Sequence, residues 1–135
     1  MEKPWIIVLC HGTWGKYLIE DVKRMFGLKD NIFVYSLLSE TSLESYRNEV
    51  EKTVSTSPKG SVIITDLYGG TTSNTAIYLG IKYERDAVSG LNVQLLLDID
   101  AVRQEKTVGI VEQVLNNNET MYVDLIKKFK NMVKN

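Results

Sequence analysis

The sequence predicts an α/β fold, a doubly wound and mainly parallel sheet with helices on both faces. Two observations carry that prediction. Short continuous apolar runs rich in β-branched residues, such as Ile6 to Cys10 and Val62 to Thr65, read as strands buried on both faces. Between them lie longer stretches whose apolar residues recur at helical spacing. Strands alternating with helices form βαβ units, and βαβ units pair their strands in parallel.

Ile6 to Cys10 is the first strand. His11-Gly12-Thr13 interrupts it, and Trp14, Tyr17, Leu18, Val22, Met25 and Phe26 then follow a helical rhythm that Gly27 stops as a C′ residue. Ile32 to Tyr35 is the second strand. Ser42 caps a helix with Leu43, Tyr46, Val50 and Val54 on one stripe. Pro58-Lys59-Gly60 turns the chain into the third strand, Val62 to Thr65. Asp66 to Asn74 is a loop rich in glycines and hydroxyls, and a helix runs from about Ser73 to Tyr83. Ala87 to Ser89 is a short fourth strand ended by Gly90. Val93 to Asp98 fits either a helix or a strand on propensity. Val108, Val111 and Leu115 mark a further helix, broken at Asn116-Asn117-Asn118. From Glu119 the pattern is ambiguous, and Thr120 to Val123 fits a short strand before a final Lys-rich helix.

The chain has 135 residues, enough to bury about two thirds of the surface of its unfolded form without disulfides or a structural metal. With no linker, repeat or low-complexity segment, residues 1–135 read as a single domain. Hydrophobic residues at 44% and charged residues at 24% argue against disorder. Sixteen Lys and Arg against 17 Asp and Glu leave a net charge of −1, without the basic excess of a nucleic-acid binder. The single cysteine, Cys10, fits a reducing compartment and reads as a small buried hydrophobe. One Cys and one His cannot make a Cys/His zinc site, so no metal is expected. The apolar run at the N-terminus is too short for a signal peptide, and no stretch approaches a membrane span. A cytoplasmic location is expected, with no cofactor.

Right-handed crossovers and a small strand count make 2-1-3-4, the flavodoxin-like order, the simplest topology. Strands 1 and 3 are then neighbours at the point where the chain reverses direction, and ligands of open α/β sheets bind outside the carboxyl ends of such strands. Those two ends carry His11 and Asp66. Taken singly, each is unremarkable: a lone His at a loop start often bonds a carbonyl, and Asp often caps a turn. Taken as a pair, Asp66 accepts the Nδ1 proton of His11, fixes its tautomer and leaves Nε2 as an outward lone pair. Gly69 and Gly70 allow backbone N–H groups to converge at a helix N-terminus, and Thr71, Thr72 and Ser73 add hydroxyls. A Gly-Gly alone is usually a tight turn, and no Lys follows at Walker spacing. A nucleophile, an orienting carboxylate and an anion cradle, without Lys, metal or nucleotide motif, point to phosphoryl transfer through histidine, with Gly69, Gly70 and Thr71 holding the phosphoryl oxygens.

Ile7-Val8-Leu9-Cys10-His11-Gly12, Asp66 to Asn74 and Val88-Ser89-Gly90-Leu91-Asn92 together resemble the IIA proteins of mannose-type (mannose/fructose/sorbose) sugar phosphotransferase systems, over nearly the whole chain. The resemblance implies a phosphotransferase with a phosphohistidine intermediate. The phosphocarrier HPr would phosphorylate His11, and the group would pass to a IIB component and serve the membrane IIC and IID components indirectly. It further implies that Asp66 bonds the histidine, that Thr71 binds phosphoryl oxygens, and that the protein is a homodimer. In such a dimer an antiparallel C-terminal edge strand, at about Thr120 to Asp124 here, is exchanged between subunits. The loop departs from the family's usual Gly-Gly-Ser-Pro: Thr71 keeps the hydroxyl, while Thr72 removes the proline and its rigidity. Two alternatives stand beside this reading. One is the phosphoryl-donor subunit of phosphoenolpyruvate-dependent dihydroxyacetone kinase; the other is a non-catalytic regulatory module of the same fold. Of the remaining side chains, Trp5, Tyr46 and the methionines are expected in the core, Trp14 in the core or at its rim, and Asp98 and Asp100 on the surface or in loops. Lys127, Lys128, Lys130 and Lys134 are expected on a solvated face.

Overall fold

The apolar runs assemble as their burial requires. The computed structural model describes residues 2–117 and 122–134. The elements in chain order are β1 (Ile6–His11), α1 (Trp14–Phe26), β2 (Ile32–Leu37), α2 (Leu43–Thr56), β3 (Val62–Thr65), α3 (Gly70–Tyr83), β4 (Asp86–Ser89), α4 (Val93–Arg103), α5 (Ile110–Asn116) and α6 (Leu125–Lys134). The four strands form one parallel sheet in the order β2-β1-β3-β4, as the sequence predicts. β1 is central, and Ile6, Ile7, Val8, Leu9 and Cys10 have no exposed surface.

Side chains alternate along β1 and feed two cores. Ile6 and Val8 join Val62 and Ile64 under α1, α4 and α5, where Ile19, Val22, Leu95, Leu96, Ile99 and Ile110 close one face. Ile7 and Leu9 join Ile63 under α2 and α3, against Tyr46, Val50, Val54, Ala76 and Leu79. Each fully buried aliphatic side chain contributes roughly 1.5–3 kcal/mol, so the central strand is the main source of cohesion. Ser42 caps α2 by accepting from the Ser45 N–H at 3.2 Å. The Tyr46 hydroxyl crosses to donate to the Tyr35 carbonyl at 2.7 Å.

Several helices turn differently from the sequence expectation. The buried stripe of α1 is Gly15, Ile19 and Val22, while Trp14, Tyr17, Met25 and Phe26 are exposed. Gly15 sets this rotation, because a Cβ there would lie 2.6 Å from Cys10 Sγ, and only glycine lets α1 approach β1 so closely. In α2, Tyr46, Val50 and Val54 are buried but Leu43 is exposed. In α5, Ile110 and Val114 are buried, whereas Leu115 is exposed, as is Val108, which lies before the helix starts. Met25 and Met132 lie on the surface and Trp5 is half-buried, so the expectation of a core role fails for these residues. The stretch from Val93 is a helix: Asn92 caps it by accepting from the Leu95 N–H at 2.8 Å, and Leu95, Leu96 and Ile99 pack at helical spacing.

Asp100 is another correction. It is buried, not a loop acid, and takes the guanidinium of the equally buried Arg103 at 2.7 Å. Arg103 also donates to the carbonyls of Pro4, Lys29, Asp30 and Asn31, tying α4 to the β1 entry and the α1–β2 turn. Of the C-terminal edge strand expected at Thr120 to Asp124, Thr120 and Met121 lie outside the described residues, as do Asn118 and Glu119. Tyr122, Val123 and Asp124 are not in a strand.

Candidate functional site

His11 ends β1 and Asp66 directly follows β3, its neighbour in the sheet. The two meet although 55 residues separate them. Asp66 Oδ2 accepts the His11 backbone N–H at 2.7 Å and faces ring Nδ1 at 2.8 Å. Oδ1 accepts the Leu67 N–H at 3.0 Å and the Thr72 hydroxyl at 2.8 Å. The carboxylate is buried, with 2% of its side chain exposed, while the imidazole is 43% exposed. Burial by itself raises the pKa of Asp66, but the His11 backbone N–H, the His11 ring and the Thr72 hydroxyl outweigh it and hold the group below the usual carboxylate value. An ionised Asp66 can only accept, so Nδ1 carries a proton, and in the neutral ring Nε2 is then the nitrogen with the lone pair.

Nε2 lies beside the start of α3. A Cβ built on Gly70 would lie 3.9 Å from both His11 Nε2 and Cε1. Gly69, the N-cap, has φ +102° and Gly70 has φ +76°, values that favour glycine, so the sharp entry into the helix depends on this pair. The helix begins at Gly70, three residues before the sequence expectation. Thr71 and Thr72 therefore lie in its first turn, where backbone N–H groups lack intrahelical partners and the dipole is positive. The Gly69 N–H has another acceptor, Ser73 Oγ at 2.9 Å, and Ser73 in turn donates to the Leu67 carbonyl at 2.8 Å. Gly69 thus shapes the loop, and Gly70 is the residue of that pair beside His11.

The structure brings His11, Asp66 and Gly70 together and sets Thr71 next in the helix. It adds Thr72 and Ser73, which the sequence reading treated only as extra hydroxyls. Their signal was the polar character of residues 71–73, but which partner each takes depends on where α3 starts. Cys10, beside the site, is fully buried, and burial pushes its thiol pKa up, so it does not compete as a nucleophile. Trp14 lies at the rim, 45% exposed. Among the described residues no group of three or more His, Cys, Asp or Glu side chains could hold a metal ion, and no helix is long and apolar enough to cross a membrane.

The site is thus a histidine hydrogen-bonded to a buried carboxylate, beside a helix N-terminus at the switch point of a parallel α/β sheet. The family model for the PTS system fructose IIA component matches residues 5–128, and the chain belongs to that family of phosphotransferase-system IIA proteins. Solved structures agree in fold. Component EIIA of the phosphotransferase system from Streptococcus agalactiae superposes with a TM-score of 0.82 at 22% identity, covering 91% of this chain and 98% of its own. The PTS IIA protein associated with the fucose utilization operon of Streptococcus pneumoniae gives 0.78 at 19%, covering 94% and 96%. The mannose/sorbose-specific IIA subunit of Enterococcus faecalis gives 0.67 at 21%, covering 91% and 96%. A search of curated proteins gives no match. Family membership carries a coarse function with it: phosphoryl carriage in a sugar phosphotransferase system.

Proposed function

We propose that this chain, as one domain over residues 1–135, is a cytoplasmic phosphotransferase that takes a phosphoryl group from phosphorylated HPr onto His11 Nε2. It then passes the group to a IIB component that supplies membrane IIC and IID partners. The observation that carries this reading is the tautomer lock, Nδ1 on Asp66 with Nε2 facing Gly70. The Nε2 lone pair attacks phosphorus in line, the donor's P–N bond breaks as the new one forms, and the donor imidazole keeps the departing electron pair. His11 retains its Nδ1 proton, so positive charge develops on its ring beside the Asp66 carboxylate. The N–H groups of Gly70 and Thr71 and the Thr71 hydroxyl receive the phosphoryl oxygens, on the loop shape that Gly69 provides. The reaction needs no cofactor and no metal.

The homodimer belongs to the same reading. Leu125, Ile126, Phe129, Met132 and Val133 form an exposed apolar stripe on α6, which has no buried residue. A stripe of this kind supports burial against a second copy.

The test is phosphorylation by enzyme I, HPr and phosphoenolpyruvate. Acid-labile phosphate on His11 that a IIB component removes is the expected result, and His11→Ala should abolish it. Phosphate on another residue, or none, would overturn the reading. Phosphate that stays on His11 in the presence of IIB would point to a regulatory module, and delivery to a dihydroxyacetone kinase would point to its donor subunit.

A further inference from the structure

Thr72 is fully buried at the third residue of α3, and its Oγ1 donates to Asp66 Oδ1 at 2.8 Å. Side chains in a helix lean toward its N-terminus, so a hydroxyl in the first turn of α3 reaches back to the end of β3. The ionised carboxylate cannot donate, which makes the hydroxyl the donor. Oδ1 is thereby held from two sides, by Thr72 and by the Leu67 N–H, and the carboxyl plane is fixed. With that plane fixed, Oδ2 meets the backbone N–H and Nδ1 of His11 together. We propose that Thr72 is a positioning residue, which orients Asp66 so that His11 is kept in the Nδ1–H tautomer with Nε2 free for phosphoryl transfer. The transfer part of this inference rests on the function proposed above; the tautomer part does not.

A hydroxyl at this position does what a proline cannot. Proline would stiffen the first turn of α3, but it has no donor to offer Asp66. Here the polar bond ties α3 to the reacting pair, so the helix that faces Nε2 and the acid that sets its tautomer are registered to each other.

The experiment compares Thr72→Val, close in shape without the hydroxyl, with Thr72→Ser, which restores it. ¹⁵N NMR of the His11 imidazole, at a pH where the ring is neutral, reads the tautomer without any phosphoryl donor. Wild type should be mainly Nδ1–H, Thr72→Val should populate the Nε2–H form several-fold more, and Thr72→Ser should return to wild type. Phosphoryl uptake from HPr should fall about tenfold in Thr72→Val at unchanged KM, the effect of one charge-assisted hydrogen bond, and recover in Thr72→Ser. A merely structural hydroxyl would lower melting temperature and leave the tautomer unmoved, which overturns the inference. Slower uptake with an unmoved tautomer also overturns it and assigns Thr72 to oxygen binding. A shifted tautomer with undiminished uptake overturns the positioning role as well. If wild type takes no phosphate at all while the tautomer shifts as expected, the functional reading fails and the link from Thr72 to His11 stands.

Discussion

At the scale of residues, one carboxylate organises the site. Asp66 accepts four hydrogen bonds, two from His11 and one each from Leu67 and Thr72. Asp66→Asn keeps the shape but makes the other tautomer favourable, and we expect transfer to slow on the order of 10²-fold or more, measured as phosphate uptake from HPr. Because the folded-state pKa of Asp66 lies below the usual carboxylate value, the unfolded chain takes up its proton first as pH falls. The stability that Asp66 contributes is therefore complete above about pH 4 and is lost as pH drops through its lowered native pKa. Urea denaturation of wild type and Asp66→Asn should show a gap that closes below about pH 4; a gap that persisted there would contradict the assignment. Gly70→Ala places a methyl 3.9 Å from Nε2 at a backbone φ of +76°. It should cost about 1–3 kcal/mol in stability and also cut uptake, a combination that denaturation and transfer assays separate. His11, Asp66 and the glycine pair were legible in the sequence because each ends a buried strand or opens a helix. The bonds made by Thr72 and Ser73 were not, since a hydroxyl in a polar loop has no fixed partner until the loop is folded.

At the scale of elements, strands were easier to read than helix faces. A strand buried on both sides shows as an unbroken apolar run, and β1 and β3 fall where those runs lie. A helix face is set by what it packs against. α1 turns Gly15, Ile19 and Val22 inward because Cys10 leaves room only for a glycine, which sends the larger Tyr17, Met25 and Phe26 outward. Arg103 was equally hidden: nothing local marks an arginine as buried, and four carbonyls from distant segments satisfy it. Removing it by Arg103→Ala should cost about 3–5 kcal/mol in chemical denaturation, because Asp100 would be left buried and unpaired. Arg103→Lys should recover little, since a point charge cannot span the fork of acceptors. Phosphoryl uptake at low temperature should be unaffected, as Arg103 is not part of the site described above.

At the scale of the whole molecule, the strand order β2-β1-β3-β4 turns two distant sequence motifs into one site. Helices on both faces leave the carboxyl ends of β1 and β3 as the open rim where His11 is exposed and its acid is not. Sedimentation equilibrium at micromolar concentration should report a dimer. Phe129→Glu, on the exposed apolar stripe of α6, should weaken it at least tenfold; a wild-type monomer at these concentrations would remove the dimer from the functional reading.

The sequence by itself determined the strand runs, their alternation with helices, the topology and the presence of a His, an Asp and a glycine pair at the chain reversal. These follow from local periodicity and chain connectivity. Only the tertiary structure decided which helix faces turn inward, where α3 begins, how Asp66 divides its two oxygens and that Arg103 is buried. Each of those depends on atoms brought close from far along the chain, and local pattern does not encode which partner a polar group meets.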